Sequence, residues 1–241
     1  MYFELRMYQS AQGRLGDIVS RMQNLLPQML RKHQFPWPVG QWVCVAGPNM
    51  PLYIWMLQWE DLDHRSKCFG GLYSDPEWDK IRISTNGIRD TVVEQRIVML
   101  RHLPCHDSLN QLANHGVAQG NRLHELRFQR LQYGMLGKAN KQMKEIDYPT
   151  LDHYGASILG AFEIISGAPV PSIASFMSWP NFESRQEALK QFESDQSVVA
   201  ARKKEVEEIN NHYLQEFDCY LLKPMQFCLP NPLFALGSHP V

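Results

Sequence analysis

The 241-residue chain has no CxxC pair, and its five cysteines (Cys44, Cys68, Cys105, Cys219 and Cys228) are odd in number and far apart. That spacing argues against a disulfide framework and a structural zinc site, and it fits a reducing compartment. An excess of charge of one sign is also missing. Lys plus Arg number 24 and Asp plus Glu 25, for a net charge of −1. The sequence therefore carries no electrostatic signature of a nucleic-acid partner or an anionic membrane surface. No apolar run approaches the roughly 18–20 residues of a membrane span. The opening Met1-Tyr2-Phe3-Glu4-Leu5-Arg6 lacks the basic, apolar and small-residue order of a signal peptide. A soluble, cytoplasmic protein is expected. The 44% of hydrophobic residues is ample for a core.

Self-similarity is what the chain does have. Glu4-Leu5-Arg6 recurs as Glu125-Leu126-Arg127, and at the same offset of 121 Gly13, Leu15, Gly16 and Met22 recur as Gly134, Leu136, Gly137 and Met143. An offset of 120 then pairs His33 with His153, Gly40 with Gly160, Gly47 with Gly167 and Pro51 with Pro171. It continues through Trp59 and Trp179, Arg65 and Arg185, Asp75 and Asp195, and Pro104 and Pro224. This order of glycines, prolines and tryptophans reads as a tandem duplication, with units at 1–104 and 122–224. Residues 105–121, polar and containing Gly116 and Gly120, read as a linker, and 225–241 as an irregular proline-rich tail.

Within a unit, residues 2–9 alternate as a strand, and Leu15, Ile18, Val19, Met22, Leu25, Leu26 and Met29 follow at helical spacing. Residues 39–46 and 51–59, separated by Gly47-Pro48-Asn49, predict a hairpin. A second helical region over 61–90, broken near Asp75-Pro76, precedes a last strand at 92–102. The order β-α-β-β-α-β is ferredoxin-like, and such a sheet has helices on one face and leaves the other open. The expected fold is α+β: two tandem units whose open faces close on each other as an intrachain barrel.

Tyr2-Phe3-Glu4-Leu5-Arg6-Met7-Tyr8, Lys32-His33-Gln34-Phe35 followed by Gly40 and Trp42, Trp59-Glu60-Asp61-Leu62-Asp63-His64-Arg65 and Asp75-Pro76-Glu77-Trp78 together resemble the NIPSNAP family of the dimeric α/β-barrel superfamily. The resemblance covers most of 1–104 and, more faintly, 122–224. In the second unit Asp195-Gln196-Ser197-Val198 replaces the Asp-Pro-Glu-Trp stretch, and Ser184 stands where His64 does. The resemblance implies the fold. The superfamily's cofactor-free oxygenases, isomerases, cyclases and haem enzymes do not select an activity.

Alternation places Phe3, Leu5 and Met7 on one face of the first strand and Glu4, Arg6 and Tyr8 on the other. The apolar set is expected under the helices and the polar set inside the barrel, with Glu125 and Arg127 repeating the pattern. Glu4–Arg6 and Glu125–Arg127 read as structural ion pairs. In the sharper reading Arg6 anchors a polar group of a ligand and Glu4 acts as a base. His33, near a helix end beside Phe35-Pro36-Trp37-Pro38, reads as a helix cap or as a proton-exchanging residue with Trp37 stacking nearby. The candidate pocket is thus Glu4, Arg6 and His33 as catalytic residues, with Tyr8, Trp37 and Arg127 as ligand contacts.

HExxH, GxSxG, P-loop and GxGxxG motifs are absent. No metal ligand set and no nucleotide cofactor are expected. Haem stays open as an alternative, since one axial histidine leaves no spacing signature. The leading expectation is a pocket for a small, largely apolar or aromatic molecule, plausible as a cofactor-independent oxygenase or isomerase. The rival is a non-catalytic binding or interaction module. No nucleic acid or membrane partner is expected, and a homo-oligomer is left open.

Overall fold

The computed structural model describes residues 2–103 and 122–225; the expected linker and the tail beyond Met225 lie outside them. The first half runs β1 (Tyr2–Ser10), α1 (Leu15–Ser20), a π-helical turn (Arg21–Leu25), α2 (Leu26–Lys32), β2 (Gly40–Ala46), β3 (Leu52–Trp59), α3 (Leu62–Tyr73), α4 (Pro76–Asn86) and β4 (Val92–His102). The second repeats this order as β5 (Leu123–Leu131), α5 (Leu136–Gln142), a π-helical turn (Met143–Asp147), α6 (Tyr148–His153), β6 (Ser157–Ser166), β7 (Ser172–Trp179), α7 (Phe182–Ser194), α8 (Gln196–Ile209) and β8 (Leu214–Pro224).

Local chemistry sets the breaks. Pro27 and Pro149 stand in the first turn of α2 and α6. A proline cannot donate to the carbonyl four residues back, and in both halves the widened π turn sits just before it. Asp61 caps α3 by accepting from His64 N at 2.7 Å, and Asp75 caps α4 by accepting from Glu77 N at 2.8 Å. Asn181 and Asp195 do the same for α7 and α8.

Within each half the strands order as 4-1-3-2, and the two sheets join edge to edge into a closed barrel, β1-β3-β2-β8-β5-β7-β6-β4. All pairings are antiparallel, and the joins are β2 with β8 and β4 with β6. Helices lie outside, and none in the described residues is long and apolar enough to cross a membrane.

The interior of the barrel corrects the expected facing of β1. Phe3, Leu5 and Met7 point into it and form one cluster with Trp42, Ile54, Met56 and Val98 of the first half and Leu126, Phe128, Phe162, Phe176 and Tyr220 of the second. Phe3 meets Phe162 at 5.1 Å between ring centroids, and the Trp42 indole donates across the barrel to His124 Nδ1 at 3.0 Å. An eight-strand barrel is narrow enough for side chains to fill. Large apolar residues fill it. Glu4, Arg6 and Tyr8 instead lie between sheet and helices, where helical side chains can reach their charges.

Candidate functional site

On the helix-facing side of β1, Glu4 is 0% exposed and Arg6 2%. Glu4 Oε1 accepts from Arg6 Nη1 at 2.7 Å and Arg65 Nη2 at 2.8 Å, while Oε2 accepts from Trp59 Nε1 at 2.8 Å and Arg65 Nε at 2.9 Å. Four donors on one carboxylate, two from a bidentate guanidinium fork, make its burial tolerable. β3 supplies Trp59, and α3 presents Arg65 one turn after its Asp61 cap.

The same construction recurs in the second half. Glu125 accepts from Arg127 Nε at 2.7 Å, Trp179 Nε1 at 2.6 Å, and Arg185 Nε and Nη2 at 2.8 and 2.7 Å. Burial alone would raise the Glu125 pKa, but Arg185 and Arg127 overcome it and hold the carboxyl at about 2. Sequence reasoning paired Trp59 with Trp179 and Arg65 with Arg185 but did not join them to the Glu-x-Arg pairs. Their shared offsets were the available signal.

The two arginines then diverge. Arg6 donates through Nε to Tyr8 Oη at 2.9 Å, and through Nη2 to Tyr73 Oη at 3.2 Å and Gln95 Oε1 at 3.4 Å. Its guanidinium carbon lies 4.4 Å from the Phe69 ring centroid, 5.7 Å from that of Tyr8 and 5.8 Å from that of Trp55. Burial opposes its charge, but the oxygens of Tyr8 and Tyr73 and the Glu4 carboxylate more than restore it, leaving its pKa above the ordinary arginine value. Burial likewise pushes the Tyr8 phenol up, against the pull of Arg6. In the second half the register positions of Tyr8, Trp55, Phe69 and Tyr73 carry Gln129, Ser175, Leu189 and Glu193. Tyr148 reaches in toward Ser175 at 3.0 Å. A bulge in the β5–β8 pairing brings Glu216 to 3.4 Å from Arg127.

Charge balance therefore differs. Among the described residues, Glu4 is shared by Arg6 and Arg65, whereas Arg127 and Arg185 face Glu125 and Glu216 together. The first cluster holds one positive charge answered only by neutral oxygens.

The other candidates sit elsewhere. His33 Nε2 is 2.8 Å from Asp75 Oδ2, which also receives Lys32 Nζ at 2.7 Å, and His33 Nδ1 lies against Gly71 of α3. These contacts tie α2 to α4 and do not involve Glu4 or Arg6. Trp37 packs, half-buried, on the apolar cluster that also contains Tyr8. Arg127 belongs to its own half, and its bonds to Glu125 and Glu216 leave it in the second helix–sheet layer rather than at Arg6. The structure thus brings together Glu4, Arg6 and Tyr8, and adds Trp59, Arg65, Phe69, Tyr73 and Gln95. Among the described residues, no group of three or more His, Cys, Asp or Glu side chains is placed to hold a metal ion.

Residues 3–104 match the NIPSNAP family. The match falls on the first half of the chain. A NIPSNAP family protein from Agrobacterium tumefaciens is 18% identical with a TM-score of 0.37, over 43% of this chain and 93% of its own. Across nearly the whole chain, a candidate monooxygenase from Lactobacillus acidophilus is similar with a TM-score of 0.54 and 12% identity, over 92% of this chain and 93% of that one. A mutant chlorite dismutase from Candidatus Nitrospira defluvii has a TM-score of 0.53 at 6% identity, over 94% and 92%. At these identities the likeness establishes the fold, a two-unit α/β barrel. No curated protein matches the chain. The aromatic-lined arginine lies within the residues matched to the NIPSNAP family, and the second half, outside that match, carries its neutralised counterpart.

Proposed function

We propose that the chain binds a small, largely apolar or aromatic molecule bearing a carboxylate or carbonyl group, and that Arg6 holds this group in the helix–sheet layer of the first half. The observation carrying the reading is the unbalanced guanidinium. Arg127 has Glu216 at 3.4 Å from its Nε; Arg6 has the Tyr8 hydroxyl at Nε and only Tyr73 and Gln95 at Nη2. A ligand oxygen replacing the Tyr73 hydroxyl would supply the missing negative charge. Tyr73 is 53% exposed at the end of α3, so its ring can turn outward without unpacking the core. Phe69, Trp55 and Tyr8 then offer flat apolar surfaces to the ligand body.

The arrangement favours binding and orientation over proton transfer by the protein. Glu4 already accepts four hydrogen bonds, and the Tyr8 phenol is pushed up by burial. A cofactor-independent oxidation or isomerisation here would draw its reactivity from the ligand, with Arg6 stabilising the negative charge that develops. Haem does not fit His33, whose Nε2 is engaged by Asp75.

The test is titration of the intrinsic tryptophan fluorescence with benzoate. Gln95→Glu gives Arg6 a carboxylate of its own and should weaken benzoate at least tenfold while leaving the melting temperature unchanged. Tyr73→Phe removes the competing hydroxyl and should tighten it. Equal affinity in the wild type and Gln95→Glu would refute the reading.

A further inference from the structure

The second half builds a separate polar cluster at the opposite end of its helix layer, around Glu205 of α8. This carboxylate is 0% exposed. It accepts from Arg202 Nη1 at 2.5 Å, His212 Nδ1 at 2.8 Å, Tyr213 N at 3.3 Å and the side chain of Gln142. Arg202 also reaches Asp147 Oδ2 at 3.2 Å, so the buried acid is anchored from three elements. Among the described residues the first half has no such pair at the matching place: Arg21 there donates to Thr91 Oγ1 at 2.9 Å and to Asn86.

His212 is consequently a histidine with one ring nitrogen fixed by a buried carboxylate and the other without a partner among the described residues. Its side chain, 45% exposed, lines a cavity of about 210 Å³. Arg130 lines the same cavity; its guanidinium lies 5.9 Å from the Phe217 ring and forms no ion pair among the described residues. Leu131, Pro169, Val170 and Pro171 give the wall its apolar stretch, and Gln132, Tyr133 and Gln215 complete it. The volume is below the roughly 300–1,000 Å³ of pockets for drug-sized ligands. An unpaired guanidinium, an oriented imidazole and a short apolar wall together specify a small anion with an aliphatic end.

We propose that this cavity is a second ligand site that takes a short aliphatic carboxylate, with Arg130 pairing the carboxylate, His212 hydrogen-bonding it through Nε2, and Pro169–Pro171 covering the alkyl group. Glu205 is a positioning residue: it turns the ring and does not touch the ligand.

The experiment is an NMR titration of the His212 imidazole resonances with butyrate on the full chain, at constant ionic strength. A saturable shift is expected, weakened at least tenfold in Arg130→Gln. Arg130 is exposed and makes no side-chain hydrogen bond among the described residues, so that variant folds. Gln95→Glu, at the other site, should leave the titration unchanged, which separates failure here from failure of the Arg6 reading. Absence of a saturable shift, equal affinity in Arg130→Gln, or an equal response to inorganic phosphate would each overturn the proposal.

Discussion

His33 and Tyr154 occupy one position in the two halves. Each follows the last residue of its helix, each amide donates to a carbonyl four residues back (Met29 at 3.0 Å, Thr150 at 3.2 Å), and each side chain reaches the aspartate that caps a later helix. His33 meets Asp75 at 2.8 Å, and the Tyr154 hydroxyl donates to Asp195 at 2.9 Å. The counterpart of His33 is therefore not His153. The tie between helices persists while its chemistry changes from imidazole to phenol.

Asp75 is the first place to test that tie. Its hydrogen bond from Lys32, joined by those from Glu77 N and His33, holds its carboxyl at about 2. An unfolded aspartate titrates near 3.9. A depressed folded pKa contributes stability that is fully present above the unfolded value and lost as pH falls through the folded one. Asp75→Asn keeps a capping oxygen but loses the charge. Its melting temperature should lie a few degrees below wild type at pH 7, with the gap closing between about pH 4 and pH 2. A gap independent of pH would assign the effect to packing instead.

Gly71→Ala probes the same tie from α3. A helical Gly→Ala change ordinarily stabilises by about 0.5–1 kcal/mol. Here the new Cβ would stand 2.8 Å from His33 Nδ1 and push the ring off Asp75. The expected outcome is a net loss of stability in chemical denaturation. Adding His33→Ala, which clears the space, should turn Gly71→Ala favourable.

Much of the fold was legible in the chain. The strand at 92–102, the hairpin around Gly47 and the break at Asp75-Pro76 all coincide with the observed elements. The facing of β1 was not legible. Alternation separates Phe3, Leu5 and Met7 from Glu4, Arg6 and Tyr8, but both faces of this strand are buried, so polarity does not reveal which is inside. What decides it is Trp59 and Arg65, more than fifty residues away, which can satisfy Glu4 only from the helix side. The His33–His153 pairing failed for a local reason. The extra residue of the first half lies in Phe35–Val39, after the helix, so the offset of 121 extends one element further than the matching glycines suggest.

Breaking either buried carboxylate should be costly. Glu4→Gln and Glu125→Gln each leave buried guanidinium groups short of a counter-charge, a class of change worth about 3–5 kcal/mol. Urea unfolding should show the larger loss for Glu4→Gln, because Glu216 remains 3.4 Å from Arg127 in the other variant. For Glu125, held at about 2, the contribution should vanish as pH falls from about 4.3 toward 2. The reverse ranking of the two variants would show that Glu216 gives no compensation.

Barrel closure rests on two glycines. A Cβ on Gly167, at φ +84°, would stand 1.8 Å from the Ile97 carbonyl oxygen, and one on Gly47 would come within 2.9 Å of the Tyr220 ring. The Gly47 Cβ would also stand 3.1 Å from the Cys219 carbonyl oxygen, but its overlaps are more than 1 Å shallower than the one at Gly167. Gly167→Ala should therefore destabilise by more than 2 kcal/mol, in the range of the larger single-site effects, and Gly47→Ala by less. Calorimetry should show one transition in both, since the two halves share a single interior.

The joins of β2 to β8 and β4 to β6 also impose an order of events during synthesis. Both edge strands of the first half are paired by the second, and nearly half of the apolar interior comes from there. At about 5–20 residues per second, translating the roughly 120 remaining residues takes on the order of 6–24 s. Throughout that interval the nascent first half displays two open strand edges and a bare apolar sheet face, and the surface that fits them best, apart from its own unfinished partner, belongs to another chain at the same stage on a neighbouring ribosome.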